Sequence, residues 1–138
     1  MIIKEQINDF GCMFKNCKQL IRIDGMMNVS NGTNSTSMFY ECHSLQNLDG
    51  MRDWNVLNGT NFEFMLYQCR SLQNVDGLKD WNLSKWTNFE GMFYNCRSLQ
   101  NLNGLKKWNV SNGKKFGINK IINQPENSMG MLSSCSFL

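Results

Sequence analysis

The feature that most constrains this chain is a repeat. Cys17, Cys42, Cys69 and Cys96 lie 25, 27 and 27 residues apart, and Leu20, Leu45, Leu72 and Leu99 keep the same spacings. Met13, Met38, Met65 and Met92 follow them, each with Phe or Leu next in the chain. Trp54, Trp81 and Trp108 mark a later position, and each is followed by Asn; the first copy has Met27 there and is two residues shorter. Phe10 occupies the place of Phe62, Phe89 and Phe116, three residues before the Met. A fixed period of this length means that one unit is too small to bury its own apolar side chains and must stack on its neighbours.

Sliding the tail along the repeat extends it. GMLSSCSFL, ending at Leu138, matches GMFYNCRSL, ending at Leu99, at Gly, Met, Cys and Leu, so Cys135 is a fifth copy of the cysteine. The chain then divides into a capping segment at 1–12, a repeat solenoid at 13–116, an insertion at 117–128 with the single Pro, and a truncated fifth repeat at 129–138. Ile2, Ile3, Ile7 and Phe10 suit a cover over the first coil, whereas the chain stops where a fifth strand would begin. The last coil is then expected to be frayed or covered by a partner or by the 117–128 insertion, or the chain to be a fragment of a longer array. A fragment or a degenerate copy is the favoured reading.

Within one unit, SLQNLDG reads as a short strand with Leu45 and Leu48 inward, Asn47 and Asp49 outward, and Gly50 allowing a turn. TNFEGMFYNC reads as one or two helical turns, with Phe89, Met92, Phe93 and Cys96 on one face at three-and-four spacing. The tryptophans would close the core on the connecting arc, and the repeated Asn there would satisfy backbone groups. The chain contains no Ala and is rich in Asn, which argues against an ordinary helical bundle. Together these predict an α/β repeat solenoid of about four to five coils with short parallel strands.

The strings MFYECHSLQNLDG and WNLSKWTNFEGMF resemble the repeat of the BspA-like leucine-rich-repeat surface proteins. The resemblance covers residues 10–116, and 129–138 more loosely. It implies a right-handed coil of leucine-rich-repeat type and a role in adhesion or recognition at a cell surface. Gly and one further residue stand where that repeat has Leu-Ser-Asn after the strand.

Residue chemistry points away from catalysis. The chain has one histidine, His43, and its repeat partners are Lys18, Arg70 and Arg97, which marks an outward basic column, not a catalytic base. No Cys-x-x-Cys pair occurs, so we expect no metal site and no cofactor, and read the repeating cysteines as buried thiols. Cys12, in the place of Gly91, stands apart from them. No stretch approaches the ~20 apolar residues that span a bilayer, and the start MIIKEQINDFGC does not read as an export signal.

The expectation for function is a non-catalytic module that binds a protein or a glycan. The candidate contacts are the outward strand residues Asn47, Asp49, Asn74, Asp76 and Asn101, in columns where carboxylates would stack. Trp86 is added because its repeat partners are Gly32, Gly59 and Gly113. Two alternatives are a scaffold repeat that self-associates through its open C-terminal edge, and a nucleic-acid surface built on the basic stretch 97–120 within a net charge of +3.

Overall fold

The structure, a computed structural model, describes residues 9–24, 32–57, 61–82, 88–99, 103–105 and 108. Successive repeats lie over one another as stacked coils. Parallel bridges join Asp9 to Asn34, Asn34 to Asn61 and Asn61 to Asn88, one position in each coil.

From each bridge onward, backbone N–H groups alternate between two destinations. Those of residues 10, 12, 14 and 16 donate across to the carbonyls of 34, 36, 38 and 40 in the next coil. Residues 35, 37, 39 and 41 reach 61, 63, 65 and 67, and residues 62, 64, 66 and 68 reach 88, 90, 92 and 94, all twelve bonds at 2.7–3.0 Å. The intervening N–H groups, such as those of Met38, Tyr40 and Cys42, turn back to the carbonyl three residues earlier. Donors and acceptors of this segment are thereby paired without a helix or a sheet.

This corrects the expected α/β solenoid. Among the described residues there is no strand, no sheet and no α-helix; the regular elements are three short 3-10 turns, Asp49–Met51, Asp76–Leu78 and Asn103–Leu105. The helical reading of Phe89, Met92, Phe93 and Cys96 fails because every coil places two residues four apart in the left-handed region. They are Cys12 and Asn16, Ser37 and Glu41, Phe64 and Gln68, and Gly91 and Asn95, with φ between 53° and 61°. A left-handed residue ends an α-helix and redirects the following N–H. The conformation costs a non-glycine residue ~1–2 kcal/mol. The four bonds it permits to the next coil contribute ~1 kcal/mol each, and the apolar side chains it turns inward add to that.

The strand reading fails for a related reason. The Ser-Leu-Gln-Asn-Leu segment keeps one backbone bond per interface, Gln46 N–H to Ile21 and Gln73 N–H to Gln46, before the chain tightens into its 3-10 turn. Each glycine of that turn lies against the preceding coil. A Cβ on Gly50 would fall on the Ile23 carbonyl oxygen, and one on Gly77 on that of Leu48. These glycines are demanded by close approach of two backbones, not by a turn conformation.

The interior is the repeat itself. Met38, Phe39, Cys42, Leu45, Leu48 and Met51 are buried, as are their counterparts Met65, Leu66, Cys69, Leu72, Val75 and Leu78. Phe62 stacks on Trp81 with ring centroids 5.6 Å apart, and Phe89 meets Trp108 at 6.3 Å with the planes tilted by 42°. The indoles also bond backward: Trp81 Nε1 donates to Met51 O at 2.9 Å and Trp108 Nε1 to Leu78 O at 2.8 Å. Trp54 Nε1 is buried with no partner among the described residues. The insertion at 117–128 and the fifth repeat at 129–138 lie outside the described residues. No helix among the described residues is long and apolar enough to cross a membrane.

Candidate binding surface

The coils are held in register, so outward side chains form columns. Asparagine builds the corners of these columns. The side-chain oxygens of Asp9, Asn34, Asn61 and Asn88 each accept the N–H two residues on, at 2.8, 2.9, 2.8 and 3.1 Å. These are Asx turns, in which a short side chain imitates a backbone acceptor. Asn34 Nδ2 also donates to Asp9 Oδ1 at 3.1 Å, tying one coil to the next.

Two of the sequence-derived contact residues are used in the same way. Asn47 Oδ1 accepts the Asp49 N–H at 3.2 Å and Asn74 Oδ1 that of Asp76 at 3.1 Å. Both asparagines are half-buried, and their acceptors serve the entry to the 3-10 turn. Asp49 and Asp76 are exposed and follow one another up the stack. Asp49 lies 3.8 Å from Arg52, while Asp24, in the same column, pairs with Arg22 at 2.8 Å. Trp86 and Asn101 lie outside the described residues. Most of the basic stretch 97–120 does so as well.

A second face carries a pattern that composition did not single out. Tyr40, Tyr67 and Tyr94 stack with centroids 4.5 and 4.9 Å apart and ring planes within 7° and 5° of parallel. Lys15, the first-coil member of the column, places Nζ 4.9 Å above the Tyr40 ring. Phe64 meets Tyr67 edge-on at 5.6 Å. Loss of solvent raises the Tyr40 phenol above its usual range, and the neighbouring Tyr67 and Glu41 add to the shift. The signal for this column was the Tyr before each Glu, Gln or Asn of the repeat; Lys15 at its head hid it.

Next to the tyrosines runs the column Lys18, His43, Arg70 and Arg97. Arg70 Nη2 donates to Gln68 Oε1 at 2.6 Å and Arg97 Nε to Asn95 Oδ1 at 2.9 Å, so neutral amides set the direction of both guanidiniums. His43 is half-buried, and its Nε2 is out of contact with solvent and has no partner among the described residues. Its loss of solvent lowers the imidazole pKa, Arg70 and Lys18 lower it further, and Glu41 opposes them.

The thiols divide as burial dictates. Cys42, Cys69 and Cys96 are buried, and each sulfur donates to a carbonyl of the preceding coil, Phe14, Phe39 and Leu66, at 3.1, 3.2 and 3.1 Å. Burial pushes the Cys42 thiol up to about 11 and that of Cys69 upward too. Cys12 and Cys17 are exposed and free. For Cys17 this departs from the expectation of a buried ladder; it lies in the first coil described.

A family model described as "Mycoplasma protein of unknown function, DUF285" matches residues 8–128. The chain belongs to this family. No curated protein and no solved structure matches it. In this DUF285 chain the match spans every described coil and the insertion, and stops short of the fifth repeat.

Proposed function

We propose that the chain is a non-catalytic binding module that holds a protein or glycan ligand on the outer surface of the stack. The observation that carries this reading is register. Twelve inter-coil hydrogen bonds fix each coil over the next, so like side chains meet in columns, and the column of three stacked tyrosines stands beside a column of cations. Tyrosine and arginine are the residues that anchor interfaces, and a rigid frame lowers the entropic cost of binding through them. The resemblance of the repeat to BspA-like recognition proteins points the same way.

The test is an array of immobilised proteins and glycans probed with the whole chain and with two surface variants. One carries Tyr67→Ser with Arg70→Gln; the other carries Asp49→Ala with Asp76→Ala. Binding lost in the first and kept in the second places the ligand on the tyrosine face, and the reverse places it on the Asn47–Asp49 and Asn74–Asp76 face. A wild-type chain that retains nothing on either array refutes the module.

A further inference from the structure

Three adjacent columns make up the tyrosine face. They are Lys15, Tyr40, Tyr67 and Tyr94; then Asn16, Glu41, Gln68 and Asn95; then Lys18, His43, Arg70 and Arg97. Four cations stand there against the single carboxylate of Glu41, and Lys15, Lys18, Arg70 and Arg97 are exposed. Lys18 and Arg70 form no ion pair among the described residues. In the coils of Tyr67 and Tyr94 the acids Glu63 and Glu90 come before the tyrosine along the chain and the arginine after it, while the coil of Tyr40 has Thr36 at the acid's position. The amide oxygen of Gln68 orients the Arg70 guanidinium without neutralising it. A cation fixed in direction and left uncompensated is pre-organised for an incoming anion.

The tyrosines narrow the partner further. Sugars stack on the open faces of aromatic rings, but both faces of Tyr67 are covered, by Tyr40 and by Tyr94. The ladder presents ring edges and phenol groups instead, the part that packs against side chains and donates to carboxylates. We propose that the strip formed by Tyr40, Tyr67 and Tyr94 with Lys18, Arg70 and Arg97 docks a carboxylate-rich segment of a partner protein. This rests on the binding-module reading and gives that module its ligand chemistry.

The experiment measures anisotropy of a fluorescent decaglutamate peptide titrated with the whole chain at about 50 mM salt, where exposed charges are weakly screened. Decalysine and labelled heparin are titrated in parallel. The double variant Lys18→Gln with Arg70→Gln is compared with Arg52→Gln with Lys79→Gln, which removes the same charge from another column. The expected result is binding of decaglutamate, weakened about tenfold by the first pair and little by the second. Arg70→Glu is a further single variant should the first pair fold poorly, and it should weaken the peptide at least as much. Absence of decaglutamate binding overturns the proposal, as does equal weakening by both pairs, which would mean diffuse charge alone. Heparin binding without peptide binding overturns it in favour of a sulfated glycan. In each of these cases a ligand retained on the array leaves the module itself standing, whereas an empty array removes both.

Discussion

The thiol of Cys69 lies 3.2 Å from the carbonyl oxygen of Phe39, thirty residues earlier, and the same relation joins Cys42 to Phe14 and Cys96 to Leu66. The cysteine of each of these three coils is therefore a small apolar side chain whose S–H caps a backbone acceptor of the coil before. A buried thiol in such a place is held protonated, and the protonated form is a poor nucleophile.

Alkylation should separate the cysteines accordingly. With iodoacetamide near pH 8 and the chain folded, Cys12 and Cys17 should be modified readily, while Cys42, Cys69 and Cys96 react only after denaturant is added. Peptide mapping by mass spectrometry assigns each site. Rapid labelling of Cys69 in the folded chain would contradict its burial.

The glycines of the 3-10 turns should tolerate alanine unequally. At Gly77 an added methyl meets the Leu48 carbonyl, which belongs to a hydrogen-bonded backbone and cannot move aside. Gly77→Ala should cost about 3 kcal/mol, read as a lower urea midpoint. At Gly104 the nearest atom is Asp76 Oδ1 at 2.9 Å, the end of a side chain that can rotate, so Gly104→Ala should cost less. Equal midpoints for the two variants would refute the close approach.

Which parts of this were legible in the sequence follows from what each position must do. Met38, Met65 and Met92 or Leu45, Leu72 and Leu99 announce themselves because a buried site accepts one kind of side chain. The left-handed sites do not, because backbone geometry restricts them without choosing a chemistry, and Cys12, Ser37, Phe64 and Gly91 share none. Reading through them turned a train of tight turns into helix. Asn47 and Asn74 are polar and repeat in register, and the structure adds that the side-chain oxygen of each accepts a backbone N–H. A sequence shows that a polar column exists; it does not show whether its acceptors are already in use.

The left-handed column Asn16, Glu41, Gln68 and Asn95 offers a stabilising change. Asparagine enters that conformation more easily than glutamine because its short side chain bonds locally. Asn95 also shows that the shorter side chain still reaches its arginine, at 2.9 Å. Gln68→Asn should raise stability by about 0.5–1 kcal/mol, seen as a higher melting temperature, with the Arg70 contact kept. A lower melting temperature would mean that Gln68 contributes packing beyond its bond to Arg70.

His43 supplies a pH dependence whose sign can be worked out. Its folded pKa lies below the ordinary value of 6.5, through loss of solvent first and then through Arg70 and Lys18, with Glu41 opposing. Below the ordinary value the unfolded chain therefore binds a proton that the folded chain resists. The stability associated with neutral His43 is complete above that value and is lost as pH falls through the folded pKa. Carboxylates titrating in the same range act on any variant alike, so the comparison is with His43→Gln, which stays neutral throughout. Between about pH 7.5 and pH 5, the urea midpoint of the wild-type chain should fall more steeply than that of His43→Gln. Parallel profiles would show that the buried Nε2 imposes no penalty on protonation, and a shallower wild-type profile would place Glu41 above Arg70 and Lys18 in setting the charge of this column.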